Sequence, residues 1–249
     1  MKVTALQMNL EWTDITANIW RVHHLVDSAP ASDLYVLPEM WSTGFVTDPR
    51  SLPLQDNEAF EVMKAVAIER DAAVCGSLAF QIEEKFYNRH FFVTADGSSR
   101  FYDKHHLFTV GGENEHYQAG SERIVAEWRG WRFRLLTCYD LRFPVWCRYV
   151  GDYDAAIVVA NWPASRITAW QILTKARAIE NQCFLIGCNR VGEDPKNHYN
   201  GCSVILDPLG RELATGAEHK ETTLTAEISL DKLQHFRTHF PVLEDRDRI

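Results

Sequence analysis

The alternation of apolar and polar residues in the first eighty positions predicts strands and helices in turn. Residues 2–8 (KVTALQM) have the short apolar pattern of a strand. Asp14 is placed to cap a helix over residues 15–29, where apolar side chains recur at helical spacing. A buried strand, a helix and another strand follow, over residues 33–39, 57–71 and 72–80. The order β-α-β-α-β is expected of a layered α/β domain.

The middle of the chain has the pattern of antiparallel hairpins. Two strand-like runs within residues 86–104 flank Asp96-Gly97, a pair that strongly favours a tight hairpin turn. A second pair of runs, within residues 123–138, turns at Arg129-Gly130. The predicted sheets therefore mix parallel and antiparallel strands.

The last third of the chain returns to strands around one long helix. A strand at 154–161 precedes a helix over about 165–181, as the apolar spacing indicates. Three more strands, at 183–190, 201–207 and 222–229, surround a turn at Asp207-Pro208-Leu209-Gly210, and residues 230–240 form a helix or an extended arm. No repeat, low-complexity segment or Pro/Gly/Ser-rich linker divides the chain, which predicts a single domain over residues 1–249.

Composition narrows the class of protein. Apolar residues make up 46% of the chain and charged residues 24%, which are ordinary values for a globular domain. A formal charge of −8 argues against nucleic acid as a partner. No apolar run approaches the ~18–20 residues that span a bilayer, and the N-terminus lacks a signal-peptide layout. We expect a cytoplasmic protein with no membrane partner, whose six cysteines are thiols.

Three ionisable residues stand where predicted strands end. Cys138 follows the apolar run RFRLLT and begins a charged turn, whereas a structural cysteine would more usually lie inside the run. Glu39 ends LYVLPE, and Lys104 ends RFYDK. Because strand ends can gather at one edge of a sheet, these side chains could share a pocket. A carboxylate, an ammonium group and a thiol together supply a base, an oxyanion stabiliser and a nucleophile.

Three motifs in this order resemble the signatures of the carbon–nitrogen hydrolase, or nitrilase, superfamily, whose triad is Glu-Lys-Cys. They are LPEMWSTGF, YDKHHLF and TCYDLRFPVW, and the likeness extends through VVANWPASR to HYNGCSVILDPLGREL, so it covers nearly the whole chain. The residues of these motifs are most similar to those of the ω-amidase branch, whose members hydrolyse the terminal amide of α-ketoglutaramate and related amides. The resemblance implies a four-layer α-β-β-α sandwich with mixed sheets, a small amide substrate and a homodimer. It implies neither a metal nor an organic cofactor.

The resemblance also implies catalytic roles. Glu39 would be the general base, and Cys138 the nucleophile that attacks the amide carbonyl. Lys104 and the backbone N–H of Tyr139 would hold the oxyanion. Many family members carry a second glutamate after the lysine, which helps to orient the substrate and the lysine. Glu113 fits the closer spacing for this second glutamate, and Glu115 is the alternative.

The motifs identify the triad but leave two accounts open for each candidate substrate-binding residue. Arg142 lies four residues after Cys138 and could bind a substrate carboxylate, or it could form an ion pair with Asp140 that holds the turn. Four further residues are candidates for the pocket wall, with core packing as the competing account: Trp41, Phe108, Asn161 and Trp162.

Two other functions remain open at this level. Another hydrolase of the superfamily, such as an aliphatic amidase, a nitrilase or a carbamoylase, would share the fold, because substrate choice depends on the pocket. A non-catalytic binding protein on the same fold is a further alternative, although all three triad residues are present.

Overall fold

The computed structural model describes residues 1–54 and 58–247, which form two six-stranded mixed sheets, a short hairpin and five α-helices. The first sheet contains, in spatial order, β14 (Thr222–Glu227), β1 (Lys2–Gln7), β2 (Leu34–Val36), β3 (Ala73–Ile82), β4 (Lys85–Val93) and β5 (Ser99–Asp103). The second contains β13 (Glu212–Thr215), β12 (Val204–Leu206), β9 (Phe184–Cys188), β8 (Ala155–Val159), β7 (Trp131–Thr137) and β6 (Val125–Trp128). The hairpin pairs β10 (Val191–Glu193) with β11 (His198–Asn200). The helices are α1 (Ile15–Ser28), α2 (Glu58–Arg70), α3 (Pro144–Cys147), α4 (Ile167–Glu180) and α5 (Leu230–His239).

Successive side chains of a strand point to opposite faces of its sheet, so the apolar side chains form one core between the sheets and another beneath the helices. In β8, Ile157 faces the other sheet, and its neighbour Val158 faces the layer that contains α4. Between the sheets, side chains such as Val36 of β2 and Phe133 of β7 belong to one shared core. Helices α1 and α2 cover the outer face of the first sheet. The predicted four-layer α-β-β-α sandwich is therefore confirmed.

Strand direction decides which loops meet. In the first sheet, β1, β2 and β3 are parallel, β4 is antiparallel to β3, and β5 is antiparallel to β4. Two reversals return β5 to the direction of β2, so the carboxyl ends of both strands lie at the same edge. In the second sheet, β7, β8 and β9 are parallel and likewise end together.

Most of the predicted elements are present, with shorter bounds. The Asp14 side chain accepts a hydrogen bond of 2.9 Å from the Ala17 N–H and caps α1 as expected. Both predicted hairpins form, and the segment given as a helix or an arm is the helix α5. The first residue of the predicted helix 57–71 lies outside the described residues. The hairpin β10–β11 was not predicted, because strands of three residues are too short to show a period.

Gly120 lies against the backbone that follows β5. A Cβ atom at this position would stand 2.2 Å from the carbonyl oxygen of Asp103, far inside van der Waals contact. The Gly120 N–H also donates to the Lys104 carbonyl at 3.0 Å. Only glycine allows this close approach, which fixes the segment that carries Lys104.

We predict that Gly120→Ala lowers the free energy of unfolding by about 1–3 kcal/mol, because the clash is with backbone and no rotamer change relieves it. Urea denaturation with an unchanged m-value measures this. Ser121→Ala, at the exposed neighbouring position, is the control and should shift stability by less than about 0.5 kcal/mol. Equal stability of the two variants would contradict the packing argument.

Candidate active site

Residues that follow the carboxyl ends of strands in both sheets lie close together. Glu39 lies three residues beyond β2, Lys104 follows β5 directly, and Cys138 follows β7 directly. Asn161 lies two residues beyond β8 and donates its backbone N–H to Glu39 Oε2 at 2.8 Å. This hydrogen bond joins the strand ends of one sheet to those of the other. The sequence expectation that strand ends gather these side chains therefore holds in the geometry.

The ammonium group of Lys104 bridges two carboxylates. Its Nζ lies 2.9 Å from Glu39 Oε1 and 2.9 Å from Glu113 Oε2. All three side chains are fully buried, at 0% exposure. Glu115 is exposed, so Glu113 is the glutamate in contact with the lysine.

The charges of this cluster perturb one another. Burial lowers the pKa of Lys104, but the carboxylates of Glu113 and Glu39 outweigh it and hold that pKa above its ordinary value. Burial raises the pKa of Glu113, Lys104 opposes the rise, and Glu39 reinforces it, so the pKa of Glu113 is also raised. The cluster thus contains a permanent cation beside a carboxyl group that holds a proton more readily than usual.

Neutral donors complete the shell around the carboxylates. The Phe108 N–H donates to Glu113 Oε2 at 2.6 Å. The side-chain amide of Asn88 donates to Glu39 Oε1 at 2.8 Å and to Glu113 Oε1 at 2.9 Å. Sequence reasoning missed Asn88, because it stands inside an apolar strand pattern with no local signal.

Cys138 occupies strained backbone at the start of a 3₁₀ turn, Cys138–Arg142. Its φ of 45° lies in the left-handed region, which is uncommon for residues other than glycine. Burial raises the pKa of the thiol well above its ordinary value, and the charge of Glu39 adds to this rise while Lys104 opposes it. The thiol is therefore protonated near neutral pH, and Glu39 is the buried carboxylate whose charge acts on it and which could accept its proton.

A third buried carboxylate, that of Asp140, holds this turn. Asp140 accepts from the Thr137 N–H at 2.9 Å and from the Tyr102 hydroxyl at 2.7 Å, and the N–H and Nδ1 of His106 contact its Oδ1 at 3.0 and 2.9 Å. Burial alone raises the pKa of Asp140, but the hydrogen bonds from His106, Tyr102 and Thr137 bring it below its usual value. Asp140 therefore ties the turn after β7 to the loop after β5.

A cavity of about 460 Å³ opens onto the cluster, with Lys104 and Cys138 in its wall. Its wall also contains the remaining candidates, namely Phe108, Tyr139, Arg142, Asn161 and Trp162. Asn161 and Trp162 are 5% and 3% exposed, so they pack in the interior and line the cavity at once. For these two, core packing and a wall position are compatible.

Arg142 does not pair with Asp140, and that alternative is wrong. The oxygens of Asp140 are occupied by donors from Tyr102, His106 and Thr137. The Arg142 guanidinium instead lies over the Trp162 ring, 5.0 Å from its centroid, and faces the cavity.

Arg166 is a second guanidinium in the cavity wall that the sequence did not single out. It lies 5.3 Å from the centroid of the Phe108 ring. Two acidic side chains also line the cavity, but Asp48 is paired with Arg50 at 2.7 Å and Asp194 accepts from the Tyr199 hydroxyl at 2.5 Å.

Trp41 is not a wall residue. It is fully buried in the core between the first sheet and its helices, where its ring lies over Gly76 of β3. The side chain of Trp41, two residues after Glu39, thus belongs to the core, which was the competing account.

Within residues 1–54 and 58–247, no group of three or more His, Cys, Asp or Glu side chains is arranged to hold a metal ion. In the same part of the chain, no helix has both the length and the apolar character needed to cross a membrane.

Comparison with known proteins agrees with this geometry. The chain is 46% identical to an omega-amidase, YafV, of Yersinia enterocolitica over 249 residues, covering 100% of this chain and 97% of that protein. It is 33% identical to a 2-oxoglutaramate amidase of Bacillus subtilis, covering 98% of this chain and 96% of that protein. The solved structure of XC1258 from Xanthomonas campestris, a CN-hydrolase superfamily protein with an arsenic adduct in its active site, superposes with a TM-score of 0.95 at 36% identity, covering 100% and 98% of the two chains. A family model for carbon-nitrogen hydrolases matches residues 2–238, and the chain belongs to this family.

Proposed function

We propose that the protein is an ω-amidase, which hydrolyses the terminal amide of short, carboxylate-bearing amides to the acid and ammonia. The observation that carries the proposal is the Lys104–Glu39 pair at a cavity whose wall contains Lys104 and Cys138 and also presents two guanidinium groups. Relatives named omega-amidase and 2-oxoglutaramate amidase support the same substrate class.

The first half of the reaction forms a thioester. Glu39 accepts the proton of the Cys138 thiol, and the resulting thiolate attacks the amide carbonyl carbon. The carbonyl oxygen becomes an oxyanion, which the Lys104 ammonium and the backbone N–H of Tyr139 stabilise. The C–N bond then breaks, Glu39 gives its proton to the leaving nitrogen, and ammonia departs.

The second half regenerates the enzyme. Glu39 takes a proton from a water molecule as that water attacks the thioester carbonyl, and Lys104 again stabilises the oxyanion. The C–S bond breaks, the acid leaves, and the thiolate recovers the proton from Glu39. One carboxylate therefore serves as base, acid and base again within one turnover.

Glu113 acts through Lys104. Its two oxygens lie 3.2 and 2.9 Å from the lysine Nζ, and the Phe108 N–H fixes one of them. This contact holds the ammonium group at the site where negative charge develops. Glu113 is therefore a positioning residue in this mechanism.

The cavity favours a small anionic substrate. Its volume of about 460 Å³ suits a small molecule, and its wall carries the guanidinium groups of Arg142 and Arg166. Arginine binds a carboxylate bidentately through charge-assisted hydrogen bonds. We assign Arg142 as the principal residue that binds the substrate carboxylate, since it lies on the turn that begins at Cys138.

We predict that the protein releases ammonia from α-ketoglutaramate faster than from neutral aliphatic amides, and that nitriles of similar length are poorer substrates. Mass spectrometry of the protein quenched during turnover should detect an acyl group on the peptide that contains Cys138. Cys202→Ser, at the other partly exposed cysteine, should retain both activity and acylation. Faster turnover of neutral amides or nitriles would reject the ω-amidase assignment, and absence of turnover on every amide and nitrile would favour a binding protein.

We predict that Lys104→Met lowers kcat by about 10²–10³-fold while changing KM much less, because the ammonium group stabilises charge that develops only in the transition state. Steady-state kinetics, with thermal unfolding to verify the fold, measures this. Lys175→Met is a matched control, since Lys175 also pairs with a glutamate, Glu212, but is exposed. A folded Lys104→Met variant with near-native kcat would remove Lys104 from the oxyanion role.

We predict that Arg142→Ala lowers kcat/KM for α-ketoglutaramate by roughly 10–100-fold, the loss expected for one charge-assisted hydrogen bond. Pentanamide, which has the same chain length and no carboxylate, is the control substrate and should be turned over by the variant almost as by the native enzyme. Equal losses on both substrates would indicate general damage to the site and would reject Arg142 as the residue that binds the carboxylate.

A further inference from the structure

Asn88 occupies a central place in the buried charge cluster that the mechanism above does not use. Its side chain is fully buried in β4. The Nδ2 atom lies 2.8 Å from Glu39 Oε1 and 2.9 Å from Glu113 Oε1, so its two N–H groups serve two different carboxylates. Among the described residues, no other side chain that is neutral donates to both glutamates.

The orientation of this amide is fixed by its other partner. The Ser77 hydroxyl donates to Asn88 Oδ1 at 2.8 Å, and the Ser77 oxygen accepts the Met40 N–H at 2.9 Å. A hydroxyl has one proton, so the Ser77 proton points to Asn88. Ionised carboxylates only accept hydrogen bonds, and therefore the NH₂ end of Asn88 must face Glu39 and Glu113.

These hydrogen bonds form a closed ring that starts and ends at one peptide unit. The ring runs from the Glu39 carboxylate through Asn88 and Ser77 to the N–H of Met40, the residue after Glu39. Met40 has a φ of 43°, in the left-handed region, so the turn after Glu39 needs support from its surroundings. The Asn88 carbonyl also accepts the Lys104 N–H at 3.0 Å. One residue thus contacts both glutamates and the backbone of the lysine.

We propose that Asn88 is a positioning residue that keeps Glu39 ionised and aimed at the Cys138 thiol. The inference rests on the proposed function only in taking Glu39 as the base. Two buried carboxylates share one ammonium group, so one negative charge in the cluster lacks a compensating cation. Asn88 is a neutral donor to both carboxylates, so it stabilises both negative charges without adding a further charge to the cluster. Without Asn88, the Glu39 carboxylate would lose a hydrogen-bond donor that favours its charged form, so a larger fraction of the base would be protonated at a given pH.

The test is the pH dependence of two reactions in Asn88→Leu, which is similar in size and lacks the amide. The acid limb of kcat/KM for α-ketoglutaramate should move to higher pH by about one to two units, as expected for a lost hydrogen bond to a charged group. The rate of Cys138 alkylation by iodoacetamide should show the same displacement. Above the displaced limb, KM should change less than kcat.

Asn18→Leu is the matched control. Asn18 is also fully buried, and its amide also makes hydrogen bonds, to the carbonyls of Glu11 and Ser42, but it contacts no carboxylate of the cluster. This variant should lose stability and leave both pH profiles in place. A purely structural role for Asn88 would give the same pattern in Asn88→Leu, and that result would overturn the proposal.

A second variant and a second readout test the proposal if the first experiment fails. If Asn88→Leu does not fold, Ser77→Ala replaces it, since this change keeps Asn88 and removes the hydroxyl group that orients its amide and accepts the Met40 N–H. The acid limb of Ser77→Ala should move in the same direction by less, and an unchanged limb would overturn the proposal. If the native protein releases no ammonia from α-ketoglutaramate, the ω-amidase assignment fails, and the alkylation profiles still decide the role of Asn88.

Discussion

The ammonium group of Lys104 is the interaction on which the rest of the site depends. It is fully buried between Glu39 and Glu113, which come from different segments of the chain. An unpaired charge in such a place costs several kcal/mol, so the lysine stabilises both glutamates in their positions. The three segments are therefore fixed together, and an error in placing one would leave a buried charge without a partner.

The two-sheet architecture makes this contact possible. Glu39 and Lys104 leave the first sheet at the same edge because β5 is reversed twice relative to β3. Cys138 leaves the second sheet, and the hydrogen bond from Asn161 to Glu39 brings the two edges together. Asp140 fixes the remaining freedom, since it binds the turn of Cys138 to residues on either side of Lys104. The packing of the two sheets thus fixes the relative positions of Glu39, Lys104 and Cys138.

The sequence predicts the parts of this site that follow from strand periodicity and from motifs. Glu39, Lys104 and Cys138 are recognisable because each follows an apolar run, and the hairpin turns are recognisable from Asp96-Gly97 and Arg129-Gly130. Contacts that depend on distant segments are not recognisable in this way. Asp140 and Arg142 belong to the same short turn, yet donors from residues 102 and 106 occupy the Asp140 carboxylate, and the Arg142 guanidinium lines the cavity. Asn88 gives no signal for the same reason.

Backbone strain lies on both sides of the proposed proton transfer. Met40 follows the base and Cys138 is the nucleophile, and both have left-handed φ values, 43° and 45°. Such a conformation costs of order 1–3 kcal/mol for a residue with a side chain, and it persists only where several contacts determine it. Ser77 supports Met40, and the bond between Thr137 and Asp140 supports the turn of Cys138. The polar network around the site therefore has two tasks, to keep charges in place and to support two strained turns. This explains why neutral groups such as Asn88 and Ser77 accompany the charged residues in the interior.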